Sequence, residues 1–501
     1  MGAASHLDCC GVQEKIDEIG FGPFQIVMLL MTGGLMCAEG SEVLVMGTIT
    51  TLLKGHWELS AILRGSMVAI VFVGFAVGNI VSGYVGDRWG RRAAILLGYS
   101  MIACFGFLTG LAWHPAMMVS LRFCVGLGCG IGFPSVYSII PELCPTPWRG
   151  AVSSLMIGFM PLGELYAALC VLSVDPDLAS SLDQCDAYAH YPNLAKPSVC
   201  TWRTLCELSA LPAFCFFTAS AFCLYESPHF LAAQGRDQDA CAVLNAMARM
   251  NGHASVFQSI AGGEVAAVAT PAHKYTFAHA LSKLWHPPLL QTTAFMILAH
   301  FCKDFSVFGL SYALPQFFHS LETVSVGVHL AIMACLAVPG VLIAFALTRT
   351  SFIGNITSIR LTSGGCALCA FGMLETTKDI VGAPCAFLAK SFAMAYFIVT
   401  VVYTAEVFPT EFRNTAVGLC TCFGRAGSTL APLVFEISVE MTGGSFDHFL
   451  TILMTLMGTV SLTAGFALTI ETKGKGLLDE DAEDRVFDAS ACPGYGAALR
   501  S

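Results

Sequence analysis

Apolar residues run along this chain in long stretches broken by short polar ones. Windows of about 20 apolar residues, the length that carries a helix across a bilayer, begin near Phe24, Ala61, Ala93, Ala116, Ala151, Thr204, Leu289, Ser325, Leu361, Pro384, Thr415 and His448. Twelve membrane-spanning helices are predicted, because a barrel strand would be only about ten residues of alternating polarity. The longest polar stretch between runs divides them six and six, and within it "RDQDACAVLNAMARMNG" has the apolar spacing of a short amphipathic helix. The pattern gives a leader (1–23), a six-helix half (24–225), a linker (226–288), a second six-helix half (289–470) and an acidic tail (471–501).

Composition agrees with the pattern. The 501 residues are 55% hydrophobic and 12% charged, with a mean hydropathy of +0.69, against roughly 25% charged in an ordinary soluble domain. The net charge of -10 says less than where the 25 Lys and Arg stand. With twelve spans, the side of the termini carries about three cations for each one on the other side, so both termini are expected in the cytosol. Which membrane holds the chain, plasma membrane or internal vesicle, stays open. The opening "MGAASH" lacks the Ser or Thr of a myristoylation signal at position six, where His6 stands. Cys185 and Cys200 share one outer loop and are candidates for a disulfide, with reinforcement as its only role.

The chain also repeats itself. "PELCPTPWRG" at 141–150 and "AEVFPTEFRN" at 405–414 say nearly the same thing, and sliding the chain by 264 residues places Glu142 on Glu406, Pro145 on Pro409, Arg149 on Arg413 and Gly163 on Gly427. Two structurally equivalent halves are implied, with a substrate site expected near the bilayer midplane at their interface. Glu142 with Arg149, and Glu406 with Arg413, are placed to bridge neighbouring helix ends at the cytosolic surface, as latches between halves that separate.

Between the second and third spans stands "GYVGDRWGRR" (83–92), and there the chain resembles the major facilitator superfamily. Asp87 would meet a helix N-terminus and its dipole, while Arg91 and Arg92 anchor the cytosolic face. "IDEIGFGPFQ", "TWRTLCELSALPAF" leading to "YESPHFLAAQGRDQDACAVL", "FSVFGLSYALPQFF" and "YTAEVFPTEFRNTAVG" are similar, in order, to the synaptic-vesicle-protein-related branch and its organic-ion relatives. "IETKGKGL" resembles the end of the sugar transporters. The resemblance implies an all-α fold of twelve transmembrane helices in two pseudo-symmetric six-helix halves, alternating access, and a cytosolic gate that includes Glu226 of the "ESP" motif. His229 stands where that motif usually carries Arg.

An ionisable residue at a helix centre costs roughly 2.5 to 3.5 kcal/mol on insertion scales, so those inside the spans must face a cavity or one another. Glu39 and Glu42 lie three apart on one helical face, where two like charges would keep one carboxyl protonated. That makes a proton site. The resemblance puts Glu39 where proton-coupled relatives carry an acid and matches Arg122 to their fourth-span Arg. It implies that Glu39 pairs with Arg122 when deprotonated and frees it when protonated. Arg425 and Lys390 match cations of the organic-anion carriers, and Lys303 could add to them, although Asp304 stands beside it. Cations converging on a cavity would hold a carboxylate, with Phe305, Phe308, Tyr312, Tyr396 and Tyr403 as candidate aromatic walls.

Other chemistry is thin. The 13 His and 22 Cys show no paired zinc spacing, no phosphate-binding Gly-Lys-Ser/Thr loop occurs, and no basic cluster suits nucleic acid. No metal, cofactor or enzymatic constellation is expected, and an ion gradient is the expected energy source. The sequence reads as a proton-coupled carrier of a small organic anion, expected to work as a monomer in a lipid bilayer. A sugar–proton symporter and a non-transporting membrane receptor or scaffold are the alternatives.

Overall fold

The computed structural model describes residues 9–57, 59–176, 201–253, 282–287, 289–319, 325–350, 352–374, 381–408 and 413–468. Cys185, Cys200 and the acidic tail lie outside them. The described residues form sixteen α-helices and no strand. α1 (Cys9–Ile19) precedes a first half made of α2 (Pro23–His56), α3 (Ala61–Trp89), α4 (Arg91–Thr109), α5 (Pro115–Leu143), α6 (Arg149–Ile157) with α7 (Phe159–Val174), and α8 (Thr201–Cys223). The linker contributes α9 (Pro228–Ala233) and α10 (Asp237–Met250). The second half holds α11 (Leu289–His319), α12 (Val326–Arg349), α13 (Asn355–Gly372), α14 (Ala383–Val407), α15 (Arg413–Met441) and α16 (Asp447–Ala467).

Among the described residues, eleven spans are long and apolar enough to cross a membrane, with α6 and α7 together forming the fifth. The ninth predicted span is α13, whose 18 residues include Asn355, Ser358, Arg360, Thr362 and Ser363. It packs between α14 and α16, where the Ser461 hydroxyl of α16 donates to the Arg360 carbonyl at 2.9 Å. The protein is therefore an all-α membrane protein of twelve spans in two halves.

Small residues set how closely the helices cross. A Cβ at Gly126 of α5 would stand 1.8 Å from the Val71 carbonyl of α3, and one at Gly163 of α7 would stand 1.9 Å from that of Cys37 on α2. Without side chains there the backbones approach directly, which substitutes for the hydrophobic drive that lipid cannot supply between helices. Between the halves α2 meets α11, α3 meets α15, and α7 meets α12. That interface is where the polar residues collect.

One face of the bundle carries α1 and the linker helices. The expected amphipathic linker helix is α10, and α1 is a helix within the leader. Its Val12, Ile16 and Ile19 are buried, and it packs against α9 and α10. Asn251, just past α10, accepts from the Phe24 N–H (3.0 Å) and donates to the Gly20 carbonyl (3.1 Å) and Gln25 (2.9 Å), tying the linker to the start of α2.

Candidate functional site

Three central helices bring charge to mid-membrane depth. Glu39 and Glu42 lie near the middle of the 34-residue α2, Lys303 and Asp304 at the middle of the 31-residue α11, and Arg425 near the middle of the 29-residue α15. All five are buried. Arg425 Nη1 stands 3.9 Å from Glu39 Oε1 and 3.8 Å from Asp304 Oδ2, while the other Asp304 oxygen accepts from Lys303. The Arg425 guanidinium lies 3.6 Å from the centre of the Phe75 ring, with Phe308 at 5.7 Å, and Lys303 sits 4.1 Å from the Phe397 ring. Glu39 Oε1, Asp304 Oδ2, and Arg425 Nε and Nη1 make no hydrogen bond among the described residues. The guanidinium is thus held by charge and a π face, while two of its buried nitrogens make no hydrogen bond among the described residues.

Arg122 is paired otherwise than the resemblance implied. It donates to Glu42, not Glu39, and holds the Thr109 hydroxyl through Nε (3.1 Å) and Nη2 (2.6 Å). The reason is depth: Arg122 is the eighth residue of α5, so it lies nearer the membrane face opposite α1, level with the later of the two acids. The Ser209 hydroxyl of α8 completes the Glu42 contact at 3.1 Å. This pair belongs wholly to the first half.

Two further ion pairs join the halves. Lys390 of α14 donates to Glu164 of α7 at 2.8 Å and to Ser311 of α11 at 2.5 Å. Nearer the face opposite α1, Arg64 of α3 donates to Glu436 of α15 at 2.6 Å, and the Tyr312 hydroxyl donates to the same carboxylate at 2.5 Å. Each cation proposed for substrate therefore has an acid beside it. Glu39, Glu42, Glu164, Asp304 and Glu436 are matched in number by Arg64, Arg122, Lys303, Lys390 and Arg425, so this set of ten is neutral when all are ionised.

The gate residues tie helices within a half. Gly90 takes φ 98°, which L side chains rarely adopt, and a Cβ there would lie 2.2 Å from Glu226. Glu226 uses that space to accept from the backbone N–H groups of Arg91 (3.0 Å) and Arg92 (3.2 Å), neutralising the N-terminus of α4. Arg91 reaches Glu142 at 3.8 Å. Arg149 donates to Gln13 of α1, so among the described contacts Glu142 and Arg149 meet different partners. In the second half Asn355, the position 264 residues after Arg91, donates to Glu406 at 2.8 Å. The side chains of Asp87 and Arg413 lie outside the described ones.

Around this gate, Asp17 of α1 accepts from the Thr146 N–H (2.7 Å) and hydroxyl (2.9 Å), and Phe21 stacks on Trp148 at 4.7 Å. Burial alone would raise the Asp17 carboxyl, but the hydrogen bonds from Thr146 and Gln13 and the nearby Arg149 outweigh it and hold the group below its ordinary value. His229 lies 3.1 Å from the Glu142 carbonyl. Burial, with Arg149 nearby, lowers its pKa despite that contact.

The family model for the sugar (and other) transporters matches residues 29–482. The chain belongs to this family. Similar proteins include the putative transporter svop-1 of Caenorhabditis elegans, 25% identical over 93% of this chain and 86% of that protein. Organic cation/carnitine transporter 7 of Arabidopsis thaliana is 25% identical, covering 93% and 96%. The niacin transporter NiaP of Acinetobacter baylyi is 26% identical, covering 92% and 98%. In fold the chain is similar to the proton:xylose symporter XylE bound to 6-bromo-6-deoxy-D-glucose, with a TM-score of 0.66, 18% identity, and 91% and 98% coverage. The chain's fold is that of a major facilitator protein, and its relatives include the synaptic vesicle 2-related protein of Xenopus laevis, 24% identical over 93% of this chain and 82% of that protein. The chain is a multi-pass membrane transporter for a small molecule, not an enzyme.

In this family member one of the expected aromatic residues, Phe308, stands beside the central charges. Phe305 stacks on Phe301 and on Phe449 of α16, and the Tyr396 hydroxyl donates to the Ala299 carbonyl at 2.9 Å. Tyr312 is engaged with Glu436. Phe75, which the sequence reading did not include, joins Phe308 at the wall position. Reasoning from sequence missed Glu436 altogether and gave no role to Arg64 or Glu164. A signal for Glu436 existed: it follows Arg425 by eleven residues, about three helical turns, and so shares its face.

Proposed function

We propose that the protein is a proton-coupled symporter of a small organic carboxylate, working by alternating access between two halves, with both termini in the cytosol. The observation that supports this best is Arg425, held between Glu39 and Asp304 at 3.9 and 3.8 Å with Nε and Nη1 unbonded. When Glu39 takes a proton, the central cluster gains one positive charge. A monocarboxylate on the unbonded edge of Arg425 restores neutrality through charge-assisted hydrogen bonds. The empty site and the fully loaded site then carry the same charge, whereas a site holding only proton or only substrate carries an uncompensated one. A buried unpaired charge costs several kcal/mol, so the half-loaded states resist closure and the two fluxes are coupled. One proton accompanies one monocarboxylate, and the cycle moves no net charge.

The relatives point the same way. Niacin and carnitine, named for two of them, both carry a carboxylate. Glu164 with Lys390, and Glu436 with Arg64, serve in this reading as pairs that close one face and part when the halves rock. The test is uptake of labelled carboxylates into proteoliposomes, with and without an inward proton gradient, beside a hexose control. Carboxylate accumulation driven by the gradient and unchanged by an imposed membrane potential is expected. Hexose uptake, or carboxylate uptake indifferent to the gradient, would overturn it.

A further inference from the structure

Successive in the chain, α12 and α13 pack on α14 more than on each other. The gap they leave is a groove of about 490 Å³, with Ile343 and Leu347 of α12, Leu361 and Leu368 of α13, and Phe392 of α14 around it. Leu361 and Leu368 are 53% and 74% exposed, and in a membrane span such side chains face lipid. They stand seven apart, two turns along one helical face. Gly364 and Gly365 line the groove between them, and a Cβ at Gly365 would stand 2.7 Å from the Phe392 ring. Between the two leucines the wall is therefore cut down to the backbone. None of the central charges lines this groove.

A cation closes one end. Arg360, the sixth residue of α13, also lines the groove and is exposed. Its carbonyl accepts from Ser363 and Ser461, but its guanidinium makes no hydrogen bond or ion pair among the described residues. Spans alternate in direction, so α13 starts and α16 ends on the α1 face. Arg360 Nη1 lies 3.2 Å from where a Cβ on Gly465 would stand, two residues before α16 ends at Ala467. The charge is thus at headgroup depth on that face. From there inward α13 reads Arg360, Leu361, the two glycines and Leu368, while α12 runs the other way and brings Leu347 first and Ile343 one turn deeper. Charge at the membrane surface and apolar wall beneath it is the order of groups in a phospholipid. A free guanidinium there is matched by a phosphate through charge-assisted hydrogen bonds. A zwitterionic headgroup carries its own cation beside that phosphate, so a lipid of net negative charge is favoured.

We propose that this groove binds one anionic phospholipid from the leaflet on the α1 face, with the phosphate on Arg360 and an acyl chain along Leu361, Leu368 and Ile343. The lipid fills the space that α12 and α13 leave over Phe392 and supplies the counter-charge that the protein does not.

The experiment is native mass spectrometry of the full-length protein in detergent, titrated with phosphatidylserine or with phosphatidylcholine of the same acyl chains. The wild type is expected to hold its first phosphatidylserine about fivefold more tightly than phosphatidylcholine. Arg360→Gln removes an unpaired cation from a span, which does not threaten folding, and is expected to bring the two lipids within about twofold of each other. Arg360→Lys keeps a point charge and is expected to keep most of the preference. Leu368→Trp, a change at a lipid-facing position, takes the space of the chain and is expected to weaken phosphatidylserine at least about threefold. Equal affinity for the two lipids in the wild type, an undiminished preference in Arg360→Gln, or full phosphatidylserine binding in Leu368→Trp would overturn the site. Displacement of the lipid by inorganic phosphate would overturn it too, because the groove would then contribute nothing. A wild-type dimer that carries no lipid and is lost in Leu368→Trp would give the groove to a second copy of the chain instead.

Discussion

At the scale of residues, the two acids of α2 do different work. Glu39 faces Arg425 across the interface between halves, and Glu42 is closed by Arg122, Thr109 and Ser209 inside one half. Glu39→Gln mimics the protonated state, so it is expected to lose gradient-driven accumulation while retaining counterflow, measured in the same proteoliposomes. Arg122→Ala would strand a buried carboxylate, and its expected cost is about 3–5 kcal/mol, read as a lower midpoint of thermal unfolding in detergent. Glu42→Leu with Arg122→Met should recover that loss, because an apolar pair of similar volume replaces a buried ion pair at little cost. If this double variant still transports, the pair is structural and Glu39 alone carries the coupling. The sequence made both acids visible but not their partners. Which of two acids one turn apart meets Arg122 depends on the axial offset between α2 and α5, and packing sets that offset.

At the scale of elements, the apolar runs were legible because lipid forces every backbone group into a helix's own hydrogen bonds, leaving little besides length to decide. α1 was harder. Its Val12, Ile16 and Ile19 follow helical spacing, but a span-sized window averages them with the polar leader. Their burial depends on α9 and α10, more than 200 residues away. The cluster makes a prediction about pH. His229 has its pKa lowered by burial in the folded state, so its contribution to stability is complete above its ordinary value of about 6.5. It falls as the pH drops from there toward the folded value, where the buried ring must take a charge. Asp17 is lowered too, so its contribution holds until the pH falls below about 4 and then declines. Protection of α1 and α9 against hydrogen exchange, taken relative to the intrinsic amide rate at each pH, is expected to fall between neutral pH and pH 5, and His229→Asn is expected to remove that first step. Protection that is flat over this range in the wild type would sink the argument.

For the whole molecule, three ion pairs between the halves lie at the midplane or on the side opposite α1: Glu39 with Arg425, Glu164 with Lys390, and Arg64 with Glu436. The 264-residue repeat announced two halves but not these bonds, because each joins residues that the repeat does not equate. In the alternating-access reading proposed above they hold the face opposite α1 shut, and the outermost should be the easiest to release. Glu436 is buried while Arg64 is 15% exposed at its side chain, so the freed arginine can turn to water after Glu436→Gln. The closed state is then expected to lose about 1–2 kcal/mol, less than the 3–5 of a fully buried pair, which moves the balance of states about tenfold toward opening on that face. Amide exchange at the end of α11 around Tyr312, whose hydroxyl also loses its carboxylate acceptor, is expected to rise accordingly. The reversed pair, Arg64→Glu with Glu436→Arg, restores the attraction across α3 and α15 and should slow that exchange again. A reversed pair that exchanges as fast as Glu436→Gln would mean that packing around Phe72 and Phe308, 4.7 Å apart across the same interface, closes this face without help from charge.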